Sequence, residues 1–386
     1  MSDDQFSEVT SESWFSRISG AIKGIIFGLI LFLISFPILF WNEGRAVERY
    51  KTLKEGGGSV ISANADSINN DFEGKLVHLS GKAITDEILE DNTFGIKTNS
   101  IKLKRNIEMF QWVEKSSSKT EKKLGGGTET VTTYSYEKKW SSELVDSNEF
   151  KKQANHSNPA SFPFQNKEFI STDVSLGAYK LSKSLINKIN KYESFPLKSS
   201  YILPEELKKD EPFHINDGII HIGEQPSSPQ IGDTRISFKV ITPQEVSIVA
   251  KQTGNTFERF HTSNGGSIEL LELGVFSSEN MFKKAESSNA FTTWMFRGLG
   301  FILMVIGLTM LFNPLEVLAD ILPLLGDIVG AGTSLISFLL SLILSFITIS
   351  IAWIFYRPIL AISLLCIAGG VIFVIKNKLG KVKASN

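Results

Sequence analysis

The chain has 386 residues, and its 40 Lys and Arg residues nearly balance its 41 Asp and Glu residues, for a formal net charge of −1. This balance argues against a nucleic-acid partner, which favours a basic protein face. The single cysteine, Cys366, excludes an intramolecular disulfide and a cysteine-based zinc site. Apolar residues concentrate in two regions, near 18–40 and in 294–375, and mostly polar residues separate them.

Four apolar segments are long enough to cross a membrane, because a hydrocarbon core of ~30 Å needs roughly 20 residues of helix. The predicted transmembrane helices cover residues 18–41, 294–312, 329–355 and 359–375. Residues 1–17 form a predicted N-terminal tail, and the first span lacks a small-residue cleavage site, so we expect a retained anchor. Arg297, near the start of the second span, is expected to snorkel to the interface.

The polar region between the first two spans, residues 42–293, has the patterns of a β-rich α+β domain. Alternation and β-branched content predict strands over 76–84, 100–115, 130–140, 235–241, 246–252 and 256–261. Segment 116–129 predicts the tip of a long β-hairpin. The helical spacing of Leu181, Leu185, Ile186 and Ile189 predicts a helix over 175–192. A candidate serine cap predicts a second helix over 277–291, which can continue into the second span as one long helix. The predicted fold class is α+β, with four transmembrane helices and this domain inserted between helices 1 and 2.

The distribution of positive charge gives a divided prediction of orientation. The basic C-terminal tail, residues 376–386, carries four lysines and favours a cytoplasmic C-terminus, so that with four spans both termini are cytoplasmic. Arg45, Arg49, Lys51 and Lys54, which follow the first span, favour the opposite orientation. Long polar domains translocate largely regardless of charge, so we give the C-terminal tail more weight and expect an extracytoplasmic domain.

Motifs for chemistry are absent from the sequence. The five histidines have no metal-binding spacing, and neither glycine run is followed by the Lys-Ser/Thr of a P-loop. We therefore expect no catalytic, cofactor-binding or metal-binding residues. Two segments stand out in the polar domain, NPASFPF (158–164) and GDTRISF (232–238). Proline with aromatic neighbours could line a groove, and a rigid ordered loop is the simpler alternative.

The segment between the second and third spans, 313–328, carries Glu316, Asp320 and Asp327 at spacings of four and seven. On a helix these three acids share one face, opposite a leucine-rich face, which predicts an interfacial amphipathic helix interrupted at Pro323. The acidic face is a possible docking face for a partner. The alternative is a linker that lies along the lipid headgroups.

The end of the first span has an unusual polar string, in which Trp41 is followed by Asn42, Glu43, Gly44 and Arg45. We interpret this string as a membrane-junction motif. Trp41 is expected at the interface, the polar residues would begin the extramembrane fold, and Gly44 would permit a turn. A contact between Glu43 and Arg45, or from either residue to the polar domain, would fix that domain against the bilayer.

The string WNEGRAVERYKTLKEG (41–56) resembles the motif that closes the first transmembrane helix in the LUMA (transmembrane protein 43) family. Further segments resemble that family in the same order: EMFQWVEK (108–115), TYSYEKKW (133–140), GDTRISFKV (232–240), LLELGVFSSENMF (270–282), NPLEVLADILPLLGDIVGAG (313–332) and WIFYRPIL (353–360). The resemblance implies four spans and a large domain between the first two. It brings no catalytic residues.

The resemblance also implies a location: the animal member lies in the endoplasmic reticulum and inner nuclear membrane, where it self-associates and contacts lamins and emerin. Similar proteins of bacteria, which have no nuclear envelope, would lie in the cytoplasmic membrane. We therefore do not transfer the nuclear role of the animal member to this chain. We expect a non-enzymatic, multi-pass protein without cofactors in the lipid bilayer. It would scaffold other membrane proteins through its large non-cytoplasmic domain and self-associate as a homo-oligomer. An ion channel subunit or channel modulator is the alternative hypothesis. A membrane-bound enzyme is the third and least favoured one.

Overall fold

The computed structural model describes residues 5–197, 201–204, 212–359 and 362–363. Its helices are α1 (Trp14–Ser59), α2 (Lys183–Lys188), α3 (Ser278–Ala319) and α4 (Pro323–Tyr356). By length and composition α1, α3 and α4 can each cross a membrane. The predicted fourth span, 359–375, lies almost entirely outside the described residues, and the basic tail lies wholly outside them.

Nineteen strands make up the β structure of the described residues. They are β1 (Gln5–Glu12), β2 (Ile61–Ser62), β3 (Leu76–Ile84), β4 (Ile88–Asp91), β5 (Ile96–Asn99), β6 (Lys102–Lys122), β7 (Thr128–Ser141), β8 (Lys167–Ile170), β9 (Ser175–Leu176), β10 (Tyr179–Lys180), β11 (Glu193–Ser194), β12 (Phe213–Asn216), β13 (Ile219–Ile222), β14 (Thr234–Ile241), β15 (Gln244–Thr253), β16 (Thr256–Glu258), β17 (Phe260–His261), β18 (Ser267–Ile268) and β19 (Leu270–Leu273). A large β-rich region between α1 and α3 therefore confirms the α+β prediction in part.

Two sheets carry most of these strands. The eight-stranded sheet has the order β1-β7-β6-β14-β13-β12, with β11 and β8 at its sides. The seven-stranded sheet has the order β10-β9-β3-β15-β16, and β19 and β2 pair with β15 and β3. Each sheet covers its own hydrophobic core on one face. Alternate residues of β14, namely Ile236, Phe238 and Val240, enter one core, as the period of two in a strand requires.

The chain divides into two compact units. The β-rich unit comprises residues 1–9, 55–119 and 131–282, and it holds both sheet cores. The helical unit comprises residues 10–54, 120–130 and 283–386. The tip of the β6–β7 hairpin thus belongs to the helical unit, although its strands begin in the other.

The prediction that the chain leaves the first helix at Asn42 is wrong, because α1 continues to Ser59. The turn expected at Gly44 is a helical turn in the interior of α1. Leu39, Ala46 and Leu53, spaced by seven residues, are all buried, so one face of the helix stays in contact with the protein beyond the apolar span.

Other boundaries also differ from the predictions. A separate interfacial helix in 313–328 is wrong, because α3 continues through Pro314 to Ala319 and α4 begins at Pro323. The helix expected over 175–192 shortens to α2, which Ser182 caps, and two short strands precede it. Part of the expected N-terminal tail is β1, which pairs with β7.

Several predictions are confirmed at the level of single elements. Strand β3 has the predicted bounds, the hairpin of β6 and β7 is present, and the segment 277–291 runs into the second span as the single helix α3. The break after the third span is also present, because α4 ends at Tyr356 and Arg357 has a non-helical φ of −135°.

Candidate functional site

Small residues allow the three long helices of the helical unit to pack closely. A Cβ atom added to Gly307 of α3 would lie 2.6 Å from the backbone nitrogen of Phe32 in α1, and one on Gly28 would lie 2.9 Å from the Gly307 carbonyl oxygen. On α4 the buried residues are small, and they include Ser337, Ser341, Ser345, Thr348 and Ala352. This close packing through small residues is typical of helices that associate in lipid.

A first group of polar residues, which we call the junction cluster, joins α1, α3 and α4. Its centre is Glu43 of α1, whose side chain is fully buried. The Glu43 carboxylate accepts hydrogen bonds from Arg297 Nε (2.6 Å) and Nη2 (2.8 Å) of α3, and from Trp353 Nε1 (2.8 Å) of α4. The arginine contact is a two-point charged pair, which fixes geometry as well as charge.

The neighbours of Glu43 extend the junction cluster between α1 and α3. Asn42 Nδ2 donates to the Thr293 carbonyl oxygen at 2.9 Å. The Arg45 guanidinium donates to the side-chain oxygens of Asn289 (3.1 Å), Thr293 (3.1 Å) and Asn42 (3.2 Å). Every bond except the one to Asn42 joins two helices, so the polar string holds α1 against α3.

These contacts decide several predictions about the junction motif. Glu43 pairs with Arg297 rather than with Arg45, and the Arg297 side chain, which is 16% exposed, lies against Glu43. A Cβ atom on Gly44 would lie 2.6 Å from the Tyr356 ring, so glycine is needed there for close contact with the end of α4. Trp41 is about half exposed and packs edge-on against Phe296.

A second group, which we call the tip cluster, gathers the three predicted acids around the hairpin tip. Lys122, the last residue of β6, places its Nζ 2.9 Å from Glu316 Oε1, 2.8 Å from Asp320 Oδ1 and 3.0 Å from Asp327 Oδ1. Arg17 of α1 donates to Asp320 Oδ2 at 2.5 Å. Asp320 is fully buried, so two cations compensate the one carboxylate that has no access to water.

Backbone contacts add to these ion pairs. Trp14 Nε1 donates to the Val317 carbonyl oxygen at 2.7 Å, and the Gly125 amide donates to the Ile321 carbonyl oxygen at 3.1 Å. Arg17 Nη1 also donates to the Gly126 carbonyl oxygen of the tip. The last carbonyl groups of a helix have no partner within the helix, so α1 and the hairpin tip satisfy groups that the turn after α3 would leave open.

Glycines at the start of α4 make room for the acids of α3. A Cβ atom on Gly326 would lie 1.6 Å from Asp320 Oδ1, and one on Gly330 would lie 2.6 Å from Glu316 Cδ. Burial lowers the pKa of Lys122, but its contacts with Asp320, Glu316 and Asp327 outweigh that effect and raise the pKa above its ordinary value. The Lys122 ammonium is therefore charged throughout the physiological range.

The two clusters lie at opposite ends of the apolar part of α1. The 26 residue steps from Arg17 to Glu43 extend over ~39 Å at ~1.5 Å per residue, which exceeds a hydrocarbon core of ~30 Å. The structure thus brings Asn42, Glu43 and Arg45 together at one end, and Glu316, Asp320 and Asp327 at the other. Within the described residues, no group of three or more His, Cys, Asp or Glu side chains could hold a metal ion.

Sequence reasoning missed the cations and the tryptophan that complete both clusters: Arg17, Lys122, Arg297 and Trp353. A lone arginine near the end of a span has the same sequence pattern whether it extends to the interface or pairs internally. For Arg297 the one available signal was Glu43 at the corresponding edge of the first span. Lys122 had no signal, because it lies in a polar hairpin with several other lysines.

Comparisons with known proteins show one family. The family model described as transmembrane protein 43 matches residues 109–358. The chain is 33% identical to "Transmembrane protein 43" of Rattus norvegicus over 380 residues, which cover 94% of this chain and 92% of the relative. The protein of the same name from Homo sapiens is 32% identical over 90% of this chain and 88% of its own length. The "Transmembrane protein 43 homolog" of Drosophila melanogaster is 30% identical over 88% and 90%. No solved structure matches the chain.

Proposed function

Since the chain belongs to the transmembrane protein 43 family of membrane proteins, we propose that it is a multi-pass scaffold that organises other membrane proteins. One observation carries the proposal: ionisable residues are confined to the ends of the three apolar helices. Residues 24–42, 298–315 and 328–355 contain no Asp, Glu, Lys, Arg or His. Proton-coupled transport uses such residues within the membrane, whereas a bundle fixed at both ends and apolar between them suits a stable platform.

The finer features of the proposal follow from the sequence. A fourth span over 359–375 would return the basic tail, 376–386, to the cytoplasmic face. The β-rich unit would contact partner proteins, and the protein would self-associate in the bilayer. No enzymatic activity is part of the proposal.

In-membrane cross-linking followed by purification in mild detergent and mass spectrometry tests the scaffold. We expect a foreign membrane protein to co-purify in reproducible stoichiometry, and the same partner to be lost when the cross-linker and the native membrane are both omitted. Recovery of the chain with no stoichiometric foreign partner, in repeated preparations from its native membrane, would contradict the proposal.

A channel subunit or channel modulator is the second candidate, and one observation favours it. The hydroxyl residues Ser337, Ser341, Ser345 and Thr348 form a buried stripe on α4. Among the described residues, the Ser341 hydroxyl makes no hydrogen bond. It could therefore form a hydrogen bond in the lining of an assembled pore. The discriminating measurement is ion flux through the purified protein in liposomes, with Ser341→Val as the variant: flux that the variant changes would favour the channel over the scaffold.

A further inference from the structure

The β-rich unit contains a groove of about 1000 Å³ that the function proposed above does not yet use. It is formed where the two segments singled out in the sequence, 158–164 and 232–238, come together with the end of β13. Its apolar wall includes Met109, Pro159, Pro163, Phe164, Ile222 and Ile231. The volume is that of a site for a short peptide or a comparable ligand.

Both walls of the groove are attached to the same strand, β6. On one side Asn158 accepts a hydrogen bond from the Trp112 amide at 2.7 Å, and its Nδ2 donates to the Trp112 and Val145 carbonyl oxygens. On the other side the Phe110 amide donates to the Asp233 carbonyl oxygen, and the Gly232 amide donates to the Phe110 carbonyl oxygen. The groove is therefore preformed, so binding need not order either wall.

The charge of the groove has one sign. Its charged lining residues are Glu224 and Asp233, and no Lys or Arg is among the described residues that line it. The polar side-chain contacts of Asp233 involve Oδ2, which accepts from the Gln230 amide at 2.9 Å and lies 3.4 Å from His221 Nε2. The Asp233 carboxylate also lies directly against Gly223, where a Cβ atom would be 2.4 Å from Cγ.

His221 does not neutralise this acidic charge. The histidine is buried, and its Nε2 makes no hydrogen bond within the described part of the chain. Burial lowers the pKa of His221, against a smaller opposing effect of Asp233 and together with a contribution from His214. Burial therefore favours the neutral imidazole, and within the described part of the chain no Lys or Arg pairs with Asp233 or Glu224.

We propose that this groove binds a short extended segment of a partner protein that carries a Lys or Arg side chain next to an apolar side chain. The cation would lie at Asp233 and Glu224, the two carboxylates among the described residues that line the groove. The apolar neighbour would pack on Pro159, Pro163 and Phe164. This inference rests on the proposed scaffold, because it assigns a surface and a recognition chemistry to its partner.

The test uses the full chain in lipid nanodiscs and two pools of fluorescein-labelled heptapeptides. Both pools have mixed Ala, Leu, Phe, Pro and Ser at the flanking positions, and they differ only in a central Arg or a central Glu. Fluorescence anisotropy should show saturable binding of the Arg pool and at least tenfold weaker binding of the Glu pool. Absence of binding by the Arg pool, or equal binding by both, would overturn the inference.

Two variants assign the binding to the groove. Glu224→Gln removes the charge of an exposed side chain, and Asp233→Asn removes the charge of a side chain that is 11% exposed while keeping its shape. Either variant should weaken binding of the Arg pool at least threefold. Glu90→Gln, which removes an exposed acid from another part of the β-rich unit, is the matched control and should leave binding unchanged. Unchanged binding in both groove variants would contradict the assignment.

The same variants separate this inference from the scaffold itself. If a foreign partner co-purifies equally with the wild type and with both groove variants, the scaffold stands and the groove is not its docking site. If the Arg pool binds but no partner co-purifies, the groove binds basic peptides and the scaffold fails.

Discussion

The two ends of the helix bundle are stabilised in different ways. In the junction cluster every partner is a helix residue, and the ion pair of Glu43 and Arg297 is almost closed to water. In the tip cluster the central cation, Lys122, comes from a strand and its side chain is 23% exposed, while Asp327 is 68% exposed. Both ends thus contain a buried ion pair between helices, because the Arg17 and Asp320 side chains of the tip cluster are 13% and 0% exposed, but the tip end adds a docked hairpin segment.

This difference has consequences for stability and motion. Removing one partner of a buried ion pair leaves a charge without compensation, which is costly. The Lys122 pairs with Glu316 and Asp327, whose side chains are 29% and 68% exposed, are partly screened by water, and Asp320 keeps Arg17 as a partner when Lys122 is removed. We therefore expect the Glu43–Arg297 pair to contribute more to the free energy of unfolding than Lys122 does, and Lys122 to determine whether the hairpin tip stays bound.

The largest effect is expected from Glu43→Gln, which keeps the side-chain shape and removes the charge opposite Arg297. We expect a loss of about 3 kcal/mol in the free energy of unfolding, because the Arg297 guanidinium stays buried without a counter-charge. The measurement is denaturation in mixed micelles followed by tryptophan fluorescence. The double variant Glu43→Leu with Arg297→Met should recover much of the loss, and equal stability of Glu43→Gln and wild type would remove the proposed contrast between the clusters.

A smaller effect is expected from Gly326→Ala at the tip cluster. The added methyl group would overlap the Asp320 carboxylate, so α4 must move away from α3, at a cost of about 2 kcal/mol. Gly332→Ala is the matched control on the same helix, since no atom lies within 4 Å of its added Cβ. The same denaturation experiment should separate the two variants, and an equal response in both would show that Asp320 does not need this space.

Lys122→Met tests the docked character of the hairpin tip. We expect a loss of about 1 kcal/mol or less in global stability, but a clear increase in the mobility of a spin label at Leu124→Cys, in a Cys366→Ser background. Lys123→Met is the control, because Lys123 pairs only with hairpin residues, Glu121 and Glu129, in the described contacts. A label that stays immobile in Lys122→Met would mean that the hydrogen bonds of the Gly125 amide and the Gly126 carbonyl oxygen suffice to hold the tip.

The smallest effect is expected from alkaline pH. The pKa of Lys122 is raised in the folded state, so its contribution is complete below the ordinary lysine pKa and is lost only as pH rises through the higher folded value. The spin label at Leu124→Cys should keep the same mobility from pH 7 to about 10. Release of the tip within that range would contradict the ion-pair geometry around Lys122.

How far the sequence predicted this structure depends on the distance between interacting residues. Strand β3 and the apolar parts of α1, α3 and α4 follow from local patterns, and their predictions agree with the structure. The spacing of Leu181, Leu185, Ile186 and Ile189 correctly marked buried positions, but only α2 is helical, because the preceding residues pair as strands β9 and β10.

The errors at both clusters share one physical cause. Asn42, Glu43 and Arg45 were interpreted as the start of a soluble fold because polar residues usually leave a membrane helix, and their partners Asn289, Thr293 and Arg297 are about 250 positions away. The three acids of 313–328 were assigned to one helical face. They converge instead through the turn between α3 and α4 and through Lys122, which is 194 positions from Glu316.

The Glu43–Arg297 pair also constrains how the protein is made. The two residues are 254 positions apart, so at ~5–20 residues per second the ribosome delivers Arg297 roughly 13–50 s after Glu43. Trp353 arrives later still, so during this interval the nascent α1 has a carboxylate without either partner at the edge of its apolar segment. Until then, water, lipid headgroups or the insertion machinery must interact with the Glu43 carboxylate of newly inserted α1. A nascent chain that ends before residue 297 cannot complete the pair.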